Sequence, residues 1–283
     1  MQRISDRVYW LPPAPPDRPS LCAVVGDRRT LMLDGGSSTS HARLFLDGLA
    51  SDGVASPSYV ALTHSHWDHV FGAAEFEAPV IAHALTAETL VELGATDWSD
   101  EALDRRVAAG EVSAAHVAHV KEELPAPREV QVAPADIVIS DGLNVELGGA
   151  SVCVRHVGGD HAADSCVMYV EPDGVLFLGD CLYDSPGGAL TANVALPLHE
   201  TISAFGAQLY VDGHSEAPIP PSELEAEREK MLLAERFVRE AASAGRPDDA
   251  AVVARIREQT GREPDEDLQL YVHAFVVGYS ARS

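Results

Sequence analysis

The sequence predicts an α/β fold whose functional groups gather on one rim of its sheets. Three observations lead there. Short β-branched and aromatic runs recur between Gly, Pro and Asp clusters, which is the pattern of strands. Segments of helical period lie between and after them. Histidine or aspartate recurs just past predicted strand ends, at His64 and its neighbours, His161, Asp180 and His214.

In chain order, Val8 to Leu11 reads as a first strand. Pro12-Pro13-Ala14-Pro15-Pro16 excludes helix and central strand, so an extended loop follows. Leu21 to Val25 and Thr30 to Leu33 read as a hairpin across Gly26-Asp27. The second of these strands ends in Asp34-Gly35-Gly36, which suits either a plain turn or a carboxylate bracing a neighbouring metal loop. Ser38 to Leu49 reads as a capped amphipathic helix, Tyr59 to Thr63 as a short buried strand, and Val80 to Ala82 as another, ending at His83. Residues 84–124 form a helical insertion with breaks before Glu101 and near Gly110, placed to act as a lid or wall. Within it His116 and His119 share one helix face, read as solvated. Strand pattern returns at Ile137 to Ile139, Val145 to Leu147 after an Asp141-Gly142 turn, Val152 to His156, Cys166 to Val170, Val175 to Leu178 and Leu209 to Val211.

The chemistry concentrates in Thr63-His64-Ser65-His66-Trp67-Asp68-His69, where four metal-capable side chains fall within six residues. Positions i, i+2, i+4 and i+5 spread around a helix, so a loop at a strand mouth is needed to turn all four inward. Imidazole with carboxylate suits zinc or another first-row divalent metal. His161 follows Gly158-Gly159, and glycine lets backbone pass close to a metal.

Composition bounds the function. The chain has 283 residues, 46% of them apolar, enough for a sizeable core. No run of about 18 apolar residues is present, so no membrane span is expected. The first residues contain no apolar signal segment, and Cys22, Cys153, Cys166 and Cys181 show no paired spacing, so a cytoplasmic protein with free thiols is expected. A net charge of -24 repels nucleic-acid phosphates, leaving a small-molecule substrate as the expected partner.

Taken together, Asp34, His64-x-His66-x-Asp68-His69, His161, Asp180 in Leu176-Phe177-Leu178-Gly179-Asp180, and His214 in Asp212-Gly213-His214 resemble the metallo-β-lactamase-fold superfamily, in family order, over roughly residues 8–216. The resemblance implies an αβ/βα sandwich of two face-to-face mixed β-sheets flanked by helices. It implies His64, His66 and His161 on one metal, Asp68, His69 and His214 on a second, Asp180 bridging both, and Asp34 bracing the site. Two Zn2+ per chain are expected, with iron or manganese as alternatives. Such a pair would make a bridging hydroxide the nucleophile, with Asp68 placed to accept or relay a proton.

Local departures narrow the substrate. Tyr183 stands where lactamases of this superfamily carry a carboxylate-gripping lysine, and Asp180 where they carry cysteine. No lysine or arginine occurs from Cys181 to Ser215, whereas the similar hydroxyacylglutathione hydrolases carry basic residues there. A tyrosine three past the bridging aspartate is similar to the acyl-homoserine lactonases, where it donates to the substrate carbonyl. Tyr183 reads either as that donor or as packing. His161 is flanked by Asp160 and Ala162-Ala163-Asp164-Ser165, which places the chain outside the lactonase and glyoxalase branches. Cys181 reads as a buried thiol beside the ligand.

Residues 1–216 therefore read as the catalytic domain and 222–283 as a C-terminal helical extension. Its helices are expected from Ser222, with a capping pattern, to about Ala244, and over Asp248 to Thr260 and Asp265 to Val277. The Leu232, Leu233, Phe237, Val238 stripe suits core packing, a homodimer contact or a cover over the substrate. The expected activity is hydrolysis of a small ester, lactone, thioester or amide. The alternatives are a mono-iron oxidoreductase resembling persulfide dioxygenases, or a β-lactam hydrolase.

Overall fold

The computed structural model describes residues 1–243 and 245–280. Two mixed sheets face each other. The first has β1 (Gln2–Arg3), β2 (Val8–Leu11), β3 (Leu21–Val25), β4 (Thr30–Leu33), β5 (Tyr59–Ala61), β6 (Val80–His83) and β7 (Ile137–Ile139) side by side in that order. It is antiparallel from β1 to β4 and parallel from β4 to β7. The second runs β12 (Leu209–Asp212), β11 (Val175–Gly179), β10 (Cys166–Glu171), β9 (Ser151–His156), β8 (Gly142–Glu146), with β11 and β12 parallel.

The period-2 side-chain pattern builds three layers of core. Val8, Trp10, Cys22, Val24, Leu31 and Leu33 point inward from the first sheet against Val152, Val154, Met168, Val170 and Phe177 of the second. The alternate residues Leu21, Ala23, Met32 and Val60 meet α1 (Thr39–Ser51) and the insertion helices α3 (Ala84–Ala95), α4 (Asp100–Ala109) and α5 (Ala114–Glu123) through Phe45, Leu49, Leu90, Leu103 and Val117. Val167, Leu176 and Leu178 cover the far side against α6 (Ala192–Ser203) and the start of α7 (Pro221–Ala242). The expected sandwich is thus the observed one.

The C-terminal helices α7, α8 (Asp249–Thr260) and α9 (Glu266–Ser280) form their own core around Met231, Phe237, Val238, Val272 and Phe275. That core includes Leu190 and Ala195 of the main body. Phe237 and Val238 of the apolar stripe are therefore used inside the chain, and Leu232 alone of the four is exposed, at 37%. Among the described residues no helix is long and apolar enough to cross a membrane.

Several local expectations change. Asp141-Gly142 is not a free turn: Gly142 opens β8 opposite Arg155, because pairing with β9 extends the strand. Helix α7 starts at Pro221, ahead of Ser222, and its Pro220 N-cap makes no side-chain cap bond, so the expected capping pattern is unused. Its expected end near Ala244 lies outside the described residues. Helix α6 is not expected from the sequence, because Pro197 masks an i, i+3, i+4, i+7 stripe of Ala195, Leu198, His199 and Ile202.

A buried polar knot ties the proline loop and α5 to the start of α1. Arg18 Nε donates to both carboxylate oxygens of Glu123, at 3.0 and 2.9 Å. Glu123 also accepts from Ser37 and Ser38. His41 Nδ1 accepts from Ser37 N at 3.3 Å. Burial, and then Arg18, hold the His41 pKa down, to about 3. The folded state keeps this ring neutral, while the unfolded chain protonates it below about pH 6.5. Its stabilising contribution is therefore present above that pH and lost as pH falls toward 3. The expected loss is on the order of 3 kcal/mol by pH 4. Melting temperature measured from pH 7 to 4 should fall more steeply for the parent than for His41→Gln; equal slopes would remove His41 from the acid response.

Candidate metal centre

Every donor in the sequence pattern sits just beyond a strand end on one rim. Asp34 follows β4, the His64–His69 loop follows β5, His161 follows β9, Asp180 follows β11 and His214 follows β12. The loop after β5 closes into a one-turn helix, α2 (Trp67–Val70), with His66 at its N-cap position and its ring free for the centre. That turn swings Asp68 and His69 toward the same point as the two histidines before it.

The structure brings the seven donors together as two adjoining groups. His64, His66 and His161 form one, and Asp68, His69, Asp180 and His214 the other, with ligand atoms within 4.8 Å of one another in each. Asp180 links them: its Oδ2 lies 3.5 Å from His161 Nε2 and 3.3 Å from both His69 Nε2 and His214 Nε2. Asp68 Oδ2 lies 3.3 Å from His69 Nε2 and 3.4 Å from His214 Nε2.

Hydrogen bonds set which ring nitrogen faces inward. Asp34 is fully buried and accepts Thr63 N–H at 2.6 Å, the Thr63 hydroxyl at 2.8 Å and His69 Nδ1 at 2.7 Å. An ionised carboxylate only accepts, so His69 carries a proton on Nδ1 and turns Nε2 to the centre. The Thr63 hydroxyl donates to Asp34 and so accepts from His64 Nδ1 at 3.0 Å. His161 Nδ1 donates to the Asp184 carbonyl at 3.0 Å. In both rings Nε2 is left with its lone pair pointing inward. His64 Nε2, His161 Nε2 and Asp180 Oδ1 are buried and have no hydrogen-bond partner, which is costly unless a cation completes them.

The electrostatics agree. Burial, with the neighbouring imidazoles, holds His64 well below its ordinary pKa and His66 down at about 4, so both stay neutral. Burial alone would raise Asp68 and Asp180, but His69 and the hydrogen bonds from His214 and His69 hold both well below the carboxylate range. Against burial, the surrounding carboxylates hold His69 well above its ordinary pKa and His214 at about 10. Three carboxylates in one pocket draw positive charge, and the imidazole protons stand where metal cations would. The donor set therefore fits two divalent ions.

Two glycines permit this closeness. Gly179 has φ 53°, and a Cβ there would lie 2.7 Å from Thr63 Cβ. A Cβ on Gly213 would overlap Asp180 Oδ1. Asp212, for which the sequence alone gives no role, accepts His214 N at 2.9 Å and Ser215 N at 2.6 Å and so shapes the His214 turn.

The centre opens into a cleft of about 450 Å³ lined by His66, Trp67, Asp68, His161, Asp180, Tyr183, Pro186 and His214 and by Asp17, Glu111, Val112, Ser113 and His116. The insertion is thus a wall of the cleft, while among the described residues none of the C-terminal helices lines it. His116 is not on a solvated face as expected. It is half-buried in the cleft, its ring edge-on to Trp67 at 6.2 Å, because α5 packs back over the metal loop. Its neighbour His119 pairs with Asp17 at 3.2 Å. Tyr183 reaches the cleft with its ring 5.9 Å from His161 and 6.2 Å from His214. Its hydroxyl lies by the Asp212 carboxylate and the His214 backbone, and burial, then Asp212, push its pKa well up, so it stays protonated. Cys181 is buried and does not line the cleft, and burial pushes its thiol well up. Asp160 accepts Thr191 N at 2.7 Å, holding the chain at the start of α6.

An αβ/βα sandwich with paired His and Asp clusters on one rim defines a class of proteins that carry metal at the sheet edge. The chain belongs to the metallo-beta-lactamase superfamily, whose sequence profile matches residues 15–246, and membership points to a metal-dependent hydrolase. No curated protein matches the sequence. Among solved structures, it is similar to a metallo-beta-lactamase family protein from Thermus thermophilus, at 22% identity over 99% of this chain and 94% of that one, TM-score 0.63. A beta-lactamase domain protein from Burkholderia ambifaria aligns at 18% identity over 98% of this chain and 86% of that one, TM-score 0.63. An archaeal superfamily protein from Sulfolobus tokodaii aligns at 19% identity over 80% and 86%, TM-score 0.58. At these identities the likeness is one of fold. The first two alignments are long enough to take in the C-terminal helices.

Proposed function

We propose that the chain is a di-zinc hydrolase of a small ester, lactone, thioester or amide. The observation that carries this reading is the convergence of seven donors, three of their buried atoms unpartnered, on an open cleft. His64, His66 and His161 would hold one ion, Asp68, His69 and His214 the other, and Asp180 both. Two such ions supply an activated water near neutral pH and polarise the carbonyl oxygen under attack. The second, four-donor group favours two ions over a single iron. Asp68, in contact with His69 and His214, is the residue placed to take up a proton. The protonated Tyr183 hydroxyl at the cleft wall, turned from Asp212 toward the substrate, is the neutral donor to the oxygen that becomes negative. The test is elemental analysis of protein purified without added metal, with a panel of lactone, ester, thioester and β-lactam substrates. About two zinc per chain and turnover of an acyl substrate are expected. One iron with oxygen consumption, or well under one metal per chain, would overturn the reading.

Tyr183→Phe keeps the ring and its packing and removes only the hydroxyl. Turnover is expected to fall by about 10²–10³, with metal content and melting temperature unchanged. Unchanged turnover on the best substrate would leave Tyr183 as packing for the His214 turn.

A further inference from the structure

The first donor group takes two of its histidines from one loop and the third from another. His64 and His66 follow β5 and are tied down through Thr63 and Asp34. His161 stands on the loop between β9 and β10, and no donor of the second group comes from that loop. The place of this loop therefore bears on the ion of the first group. The loop leaves β9 through Gly158 and Gly159, with φ of 64° and 150°, so the backbone ahead of His161 is free to move. Val157 N and Gly158 N both donate to Ser165 O, at 2.9 and 3.0 Å, which joins the two ends of the loop to each other. The Asp184 carbonyl sets the rotation of the His161 ring through Nδ1.

Two holds on the loop come from the start of α3. Thr86 Oγ1 donates to Asp164 Oδ2 at 2.8 Å, with Thr86 fully buried and Asp164 6% exposed. One residue earlier, the Ala163 carbonyl accepts from His156 Nε2 at 2.9 Å. The His156 ring lies flat on His83, with centroids 3.8 Å apart and planes 6° from parallel. His83 is the N-cap of α3: its Nδ1 accepts from Leu85 N at 3.3 Å, and its Nε2 donates to the Ser140 carbonyl at 3.0 Å. Both holds lead back to residues 83–86, where β6 passes into the insertion. We propose that Thr86, through Asp164, is a positioning residue for His161 and so for the ion of the first group. Without the Thr86 hydroxyl a buried carboxylate loses its donor and turns toward water, moving backbone three positions from His161. The inference rests on the two-ion reading of the centre.

Thr86→Val keeps the branching of the side chain and removes the hydroxyl. Zinc affinity measured by chelator competition should fall about 10–100-fold for one ion and stay parent-like for the other. Zinc anomalous diffraction tells which: the signal should weaken at His64, His66 and His161 and persist at Asp68, His69 and His214. Thr86→Ser restores the donor and should restore both ions. Thr86→Val/Asp164→Ala leaves no orphaned charge and should still lose the first ion. If that double variant recovers the ion, the defect of Thr86→Val is its buried charge and not the lost hold, and the inference is overturned. Parent-like affinity for both ions in Thr86→Val, or equal losses at both, overturns it too. So does a lower melting temperature of the metal-free protein with both affinities intact, which would make Thr86 a packing residue. If the parent holds a single ion, the two-ion reading fails, and a Thr86→Val protein that keeps this ion at parent affinity overturns the positioning role as well.

Discussion

Asp180→Ala is expected to empty the centre. Among the described residues Asp180 is the one side chain within 3.5 Å of His161, His69 and His214, and so the one that joins the two donor groups. Its removal takes away a negative charge shared by both groups, not an accessory hydrogen bond. Losing a supporting partner of a metal ligand typically costs about 10–100-fold, and turnover of Asp180→Ala should fall further than that. Metal content after dialysis should drop below one ion per chain. The fold should persist, because Asp180 sits at the rim beyond β11 and the inter-sheet core of Phe177, Met168 and Leu33 is untouched. Elemental analysis, turnover and circular dichroism on one preparation decide it. A variant that kept two ions and most of its turnover would show that Asp180 does not bridge.

Asp34→Ala should be the substitution that damages both stability and metal affinity. It orphans three buried donors at once: Thr63 N–H, the Thr63 hydroxyl and His69 Nδ1. Each costs about 1–3 kcal/mol when left unpaired. Asp34 also has φ 66°, a left-handed conformation in which alanine is strained by roughly a further 1 kcal/mol. A chain of this length loses about 2–4 °C per kcal/mol, so a drop on the order of 10 °C is expected. Asp34→Asn separates the two effects. Asparagine tolerates left-handed backbone and keeps one acceptor, but its amide faces a donor and no charge remains to set the His69 ring. It should melt nearer the parent while still losing about 10–100-fold in metal affinity. Parent-like metal affinity in both variants would end the bracing role.

Much of this architecture is legible in the sequence because its signals are local. Leu31 and Leu33 alternate with Met32 within four residues, and the loop after β5 places four donors within six. The strands and the donors can be found without knowing what they touch. The roles of Thr63 and Asp212 are not legible in that way. Thr63 is a relay because Asp34, 29 positions earlier, accepts from both its amide and its hydroxyl. Helix α6 was hidden by Pro197, and its apolar stripe became meaningful only against Leu176 and Leu178. His116 reads as solvated because no donor cluster besides His119 lies near it in sequence, and only the packing of α5 across Trp67 brings it into the cleft.

By itself the sequence determined the kind of fold and a list of donors, since strand alternation, turn residues and a dense histidine loop are written within a few positions. The tertiary structure alone decided which nitrogen of each ring faces inward, which hydrogen bonds hold it there, and which side chains line the cleft beside the donors. Asp180 meets His69 across 111 positions and Arg18 meets Glu123 across 105. Contacts of that span leave no periodicity behind: they exist only once two sheets have packed and a rim has formed, so the place of His116 in the cleft and its lowered pKa belong to the folded chain.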